Sequence, residues 1–274
     1  MTELQNCELN ILKEFIRVCD ELELTYYMVC GSALGAVKYG GFIPWDDDVD
    51  VALPRKDYDL FVLKAQNMLP KNLFVQTYLT DPAYPNIYGK LRNCETTFIE
   101  RSYKNINMNH GVYIDIFPLD GYPKDSAEAL NLEKEKKRLY RQRYAGISPW
   151  YHRDVVLTVN CLLNGIGVPF DTAEACRRNE ELIKKYPLSD SELWCNFGNS
   201  MLPVEYAPRA QYGRGTWSSF EGIKVRIPEN YDEYLTQKYG DWKAELPEEQ
   251  KIGHHSYTVC DLSKSYKNYI GGRE

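Results

Sequence analysis

Asp48 and Asp50 alternate with Val49 and Val51 in one short run. A two-residue period is that of a half-buried strand, so both carboxylates are expected on one face. Held side by side they repel each other unless a cation lies between them. Mg²⁺ suits that position, because it takes hard oxygen ligands and shares them with substrate phosphates. Upstream, Gly31-Ser32 follows the apolar run Tyr26-Tyr27-Met28-Val29-Cys30. A Gly-Ser turn lets backbone N–H groups approach a phosphate closely. The chemistry these residues suit is metal-assisted handling of a phosphate.

Several elements must position them. Leu4, Ile11, Leu12, Phe15, Cys19 and Leu22 fall near helical spacing and predict an amphipathic helix over 3–23 with a structural role. A short helix over 32–39 would aim its N-terminus at the Gly-Ser turn, where the end dipole favours an anion. Residues 40–45 read as a loop, and Asp46 would join the face of Asp48 only if the strand reached that far. Pro54 suits the first turn of a helix over 55–68, with Arg55 placed to pair with a site carboxylate or reach a phosphate. Short strands are expected over 72–79 and 86–100, and another over 111–120 carries the acid Asp115 among apolar residues. Asp120, after Pro118, reads as a turn residue. A charged helix over 125–144 reads as a solvated face, with docking of an anionic acceptor or a membrane surface as the alternative. A buried apolar helix over 155–170, with partial membrane association as the alternative, and a third helix over 172–186 follow. That apolar segment is too short to span a bilayer, which takes ~20 apolar residues. A turn and strand over 220–228, a helix over 230–239 and a frayed tail after Asp261 complete the chain.

The 274 residues suit one large domain, 1–274, with a mainly helical elaboration at about 125–200. Acidic residues outnumber basic ones, giving a formal charge of -6, which argues against a nucleic-acid partner. The eight cysteines form no CxxC pair. With no secretory signal they read as reduced thiols in a cytoplasmic protein, and neither they nor the histidines have zinc-finger spacing.

Gly-Ser followed by Asp-apolar-Asp-apolar resembles the signature of polymerase-β-like nucleotidyltransferases. The run LGAVKYGGFIPWDDDVDVALPRKDYDLF, residues 34–61, is similar to the core of the LicD family, as are Tyr88–Arg92, Thr96–Glu100 and the stretch from Phe220 to His255. Members of that family transfer phosphocholine and related groups from CDP-activated donors to glycans, and fukutin-type transferases are distant relatives. The resemblance implies an α/β (α+β) fold, a nucleotidyltransferase-like mixed sheet with helical additions. It implies Asp115 as a third carboxylate, so that Asp48, Asp50 and Asp115 are catalytic and hold one or two Mg²⁺ ions, or Mn²⁺ in their place.

It further implies that Gly31, Ser32, Lys90 and Arg92 contact the donor phosphates; without it, Lys90 and Arg92 would read as a solvated strand face. Trp45 either caps the core with Phe42 or lines the donor pocket, stacking on a base or facing a choline cation. At most one of His254 and His255 should enter the site, and His254 is taken as a substrate contact or general base, with a surface or core role as the alternative. The activity implied is Mg²⁺-dependent transfer of phosphocholine from CDP-choline to a sugar of a surface glycan or teichoic-acid precursor, releasing CMP. A CDP-polyol, CDP-ethanolamine or a nucleoside triphosphate is the alternative donor, and a non-catalytic glycan-binding scaffold the alternative class. The acceptor would be a glycan or lipid-linked glycan, with a peripheral contact at the inner face of the membrane left open.

Overall fold

The computed structural model describes residues 1–147, 154–198, 205–253 and 255–270. Helix α1 (Glu3–Glu21) begins in a capping box, in which Thr2 accepts from the Gln5 amide and the Gln5 side chain accepts from the Thr2 amide. β1 (Tyr27–Met28), α2 (Cys30–Lys38), β2 (Asp50–Pro54), α3 (Arg55–Lys64), β3 (Leu73–Gln76), β4 (Gly89–Asn93), β5 (Thr97–Glu100) and β6 (Val112–Tyr122) follow. Next come α4 (Ser126–Arg143), α5 (Val155–Gly165), α6 (Thr172–Ile183), β7 (Leu193–Asn196) and β8 (Glu205–Pro208). The chain ends in α7 (Arg209–Tyr212), β9 (Thr216–Phe220), β10 (Ile223–Ile227), α8 (Tyr231–Tyr239), β11 (Tyr257–Asp261) and α9 (Lys267–Ile270).

The architecture is α+β around a seven-stranded mixed sheet of order β1-β2-β6-β4-β3, with β7 and then β8 continuing from the far end of β6. β2 and β6 are parallel, and the other pairings in this sheet are antiparallel. Register sets Asp50 beside Asp115, Asp115 beside Lys90, and Lys90 beside Gln76. Side chains of paired residues share a face, so this row crosses four strands on one side. The alternate residues Val51, Leu53, Leu91, Ile114 and Ile116 turn to the other side, where they join Leu9, Leu12 and Phe15 of α1 in the main core.

Four expectations change. β2 begins at Asp50, because the Pro44–Trp45 turn takes Asp46, Asp47 and Asp48 out of regular pairing; the last ladder contact on this side is the Asp115 amide on the Val49 carbonyl, 2.8 Å. α3 ends at Lys64 and gives way to a single 3₁₀ turn. α5 is not a buried helix, since only Leu157 and Cys161 of its side chains are buried. The segment after Asp261 is not frayed as far as Ile270: the Tyr266 amide donates to Thr96, and Thr97 donates to the Lys264 carbonyl.

Candidate active site

Asp50 reaches its place through two anchors. Its carbonyl accepts from the Val29 amide at 3.0 Å, and its own amide donates to the Ser32 hydroxyl at 2.8 Å. Gly31-Ser32 is therefore the first turn of α2 rather than a separate loop, and the Ser32 side chain is buried against the strand it holds. The turn still presents backbone donors, since Gly31 and Ser32 are too near the helix start to have intrahelical acceptors. A Cβ on Gly31 would lie 2.8 Å from Asp46 Oδ2, so the glycine lets the acidic loop close against the helix end.

Carboxylate oxygens of Asp46, Asp47 and Asp48 all lie within 4.8 Å of one another. Gln5 of α1 fastens the loop, its amide nitrogen donating to the Asp46 carbonyl at 2.9 Å. Burial first, and Asp46 next, push the Asp48 carboxyl up to about 7; burial and Asp47 push Asp46 up to about 6. Asp50 and Asp115 are also raised, by burial above all; Asp48 and Asp115 raise Asp50 further, while Lys90 partly offsets the rise at Asp115.

Glu8 belongs to this cluster and was not among the expected residues. It is buried, and its carboxyl is raised first by desolvation and then by Asp48, Asp47, Asp46 and Asp115. Glu8 Oε2 has no hydrogen-bond partner among the described residues. In the sequence it is one polar position of an amphipathic helix, and nothing local marks it as turned inward.

Lys90 and Arg92 do share one strand face, but it is internal: Lys90 is 1 % exposed and Arg92 0 %. Lys90 Nζ lies 2.9 Å from Asp115 and 3.2 Å from the centre of the Tyr113 ring. Arg92 donates to Gln76 and to the Gly111 carbonyl and faces Glu100 at 3.9 Å. The solvated-face reading fails for both. A direct phosphate contact fails for Arg92, whose guanidinium is enclosed by protein groups. Lys90 instead supplies the positive charge beside Asp115.

Arg55 is corrected as well. It pairs with buried Asp120 at 2.5 Å and with Glu180 at 2.9 Å, not with the site carboxylates. Asp120 is thereby an ion-pair partner and not a turn residue. Phe42 packs into the core on Phe220, whereas Trp45 stays half-buried, edge-on to Tyr39 at 6.2 Å with Lys251 5.4 Å from its ring.

His254 lies outside the described residues. The histidine seen at the carboxylates is His255, whose Nδ1 is 3.1 Å from Asp47 Oδ1 and 3.9 Å from Asp48 Oδ2. Pairing of β11 with β5 carries it there, and its backbone amide also donates to Asp47 at 3.1 Å. Burial alone would depress the imidazole, but the Asp47 hydrogen bond and the charges of Asp48 and Glu100 outweigh it and raise it to about 9. The adjacent pair His254-His255 allowed at most one ring to enter; that His255 does so depends on a strand register that only the fold supplies.

A mixed sheet with acids on paired strands, beside a helix N-terminus, is the arrangement of a nucleotidyltransferase-type domain. Residues 23–155 match the family model described as LicD/FKTN/FKRP, nucleotidyltransferase domain. The chain is 26% identical over 262 residues, 93% of its length and 96% of the relative's, to the lipopolysaccharide cholinephosphotransferase LicD of Haemophilus influenzae. It is also 27% identical over 114 residues to an uncharacterised protein of Rickettsia prowazekii, covering 42% of this chain and 39% of that one. Residues 23–155 are thus similar to a LicD-type nucleotidyltransferase domain, and the chain as a whole is similar to a LicD phosphotransferase.

Proposed function

We propose that this phosphotransferase moves phosphocholine from CDP-choline to a sugar hydroxyl of a cell-surface glycan, such as a lipopolysaccharide or teichoic-acid precursor, and releases CMP. The observation that carries the reading is the alignment of Asp50 and Asp115 on neighbouring parallel strands, with Asp48 two residues before Asp50 and the α2 N-terminus alongside. Similarity over almost the whole length to the Haemophilus enzyme supports the choline and glycan parts.

The residues fit a hard divalent cation. The close carboxylates of Asp46, Asp47 and Asp48 and the buried, unpartnered Glu8 oxygen form an oxygen-rich set with more negative charge than Lys90 and His255 balance. Asp48, Asp50 and Asp115 would hold one or two Mg²⁺ ions, or Mn²⁺, with Asp46 as a further oxygen donor. When bound, the ion lowers the pKa of the acceptor hydroxyl and neutralises the donor diphosphate. The acceptor oxygen then bonds to the phosphorus bearing choline as the bond from that phosphorus to CMP breaks in line. The hydroxyl proton passes to a site carboxylate. The backbone donors of Gly31 and Ser32 face the diphosphate, and Trp45, exposed on one side, offers a ring to the base or the choline cation.

Calorimetric titration of CDP-choline with Mg²⁺, and then with EDTA, tests the reading, with CDP-ribitol, CDP-ethanolamine and CTP in parallel. Tight, Mg²⁺-dependent binding of CDP-choline alone is the expected result. Preference for another CDP compound would replace phosphocholine as the transferred group. Absence of binding to all four would remove the catalytic reading and favour a glycan-binding scaffold.

A further inference from the structure

We propose that α5 is a membrane-docking element that lays its outer face on an anionic phospholipid surface. No charged residue occurs from Val155 to Phe170, and the outer face of the helix is not covered by the other described residues. Val155 is 78 % exposed, Ile166 80 %, and Val156, Val159 and Leu162 are exposed between them. Val155, Val159, Leu162 and Ile166 recur at helical spacing and form one stripe. Leu157 and Cys161 occupy the opposite side and pack with Tyr140 of α4 and with Tyr144 just past its end.

The exposure comes with firm anchoring. Asp154 caps α5 by accepting from the Leu157 amide at 2.9 Å and is itself held by Arg141 at 2.8 Å. Asn160 donates to the Arg141 carbonyl at 3.1 Å. A helix fixed through its inner side and bare of charge on its outer side has lost the usual means of facing water. No helix among the described residues is long and apolar enough to cross a membrane, so this one would lie on the surface.

Charge selects the surface. The C-terminal part of α4, on which α5 rests, carries Lys134, Lys137, Arg138 and Arg141 against the acids Glu133 and Glu135, in a chain whose formal charge is -6, while Lys136, paired with Glu133, and Arg143 are buried. Arg138 pairs with Glu135 and Arg141 with Asp154, whereas the exposed Lys134 and the half-buried Lys137 have no ion pair among the described residues. Basic side chains beside an apolar stripe match anionic headgroups above an acyl layer. A second copy of the chain fits less well. A stripe of 11 residues is roughly 16 Å long and about 10 Å wide, far below the ~800 Å² per partner of a stable interface.

The test is flotation of the full chain with phosphatidylcholine vesicles and with vesicles that also contain phosphatidylglycerol. The protein should float with the anionic vesicles. Replacing both Val159 and Leu162 with Glu, at exposed positions where folding is retained, should weaken partition by at least about tenfold. Lys134→Glu with Lys137→Glu should remove the preference for phosphatidylglycerol. Hydrogen exchange on the unaltered protein gives a second readout: vesicles should protect 155–166. The proposal is overturned if the unaltered protein floats with neither vesicle, if the Val159/Leu162 variant floats as well as the parent, or if vesicles leave 155–166 unprotected. A dimer abolished by that variant, without vesicle binding, would assign the face to a second copy. None of these outcomes depends on which donor the active site takes.

Discussion

Lys90 has the most to lose by truncation. It is enclosed, and its ammonium is the nearest positive charge to Asp115. Removing one member of a buried pair leaves the other charge uncompensated, at a cost of about 3–5 kcal/mol. Lys90→Ala should therefore lower the denaturation midpoint as well as turnover; a variant of unchanged stability with weakened donor binding alone would return Lys90 to a phosphate contact. Asp48→Asn and Asp50→Asn belong to the opposite class. Each removes a carboxylate that burial and its neighbours already disfavour, so metal-free protein should be as stable as the parent or more so. Turnover should fall by on the order of 10²-fold or more. Near-normal turnover in either variant would remove these aspartates from the metal site.

At the scale of elements, the contact between α2 and β2 decides how well the acids are aimed. Ser32 gives the Asp50 amide its acceptor where the ladder ends. Ser32→Ala leaves that donor without its partner, a loss of about 1–3 kcal/mol, and should reduce kcat while KM for the donor moves little. Gly31→Ala is expected to be worse for activity than for folding. Its methyl group meets the Asp46 carboxylate rather than backbone, so the loop shifts while the core stays. A crystal structure of Gly31→Ala with the loop of residues 43–48 unmoved would show that the close approach is incidental. A second element junction lies at Arg55, which ties α3 to Asp120 at the end of β6 and Glu180 of α6. Burial tends to raise the Glu180 carboxyl, but Arg55, Tyr78 and Lys184 outweigh it and hold it below the usual range. Its contribution to stability is then present above the ordinary carboxylate value and lost as pH falls through the lower folded value. Glu180→Gln should cost stability at neutral pH and progressively less below about pH 4.

For the whole molecule, the acidic cluster makes stability depend on pH and on metal in a linked way. Glu8, Asp46, Asp48, Asp50 and Asp115 all have raised values in the folded state. The native state thus binds more protons than the unfolded one. Their favourable contribution is complete below about pH 4 and disappears as pH rises through the folded values of about 6 and about 7. Metal-free protein should show a falling thermal midpoint between about pH 5 and about pH 8. Mg²⁺ or Mn²⁺ should restore it most at the upper end, because the ion binds the deprotonated carboxylates. A midpoint that is flat with pH and indifferent to Mg²⁺ would contradict a cation site at this face.

Much of this was legible along the chain because it is local. Alternation of Asp48-Val49-Asp50-Val51 marked the strand, which the structure begins only at Asp50, and a lone Asp115 within an apolar strand has few uses other than pairing or ligation. The run of residues 34–61 carried the family, and helical spacing carried α1, α4 and α6 to within a few residues. What the chain alone left open depends on contacts between residues distant in sequence. Parallel pairing of β2 with β6 sets Asp50 against Asp115, 65 positions apart. Pairing of β11 with β5 selects His255 for Asp47, and the packing of α1 turns Glu8 toward the acids. Whether Lys90 and Arg92 face solvent or the interior, and whether α5 is covered or bare, was equally undetermined, because a strand or helix has the same local pattern in both settings. The residue types therefore specify the chemistry, and the register between strands specifies which of them perform it together.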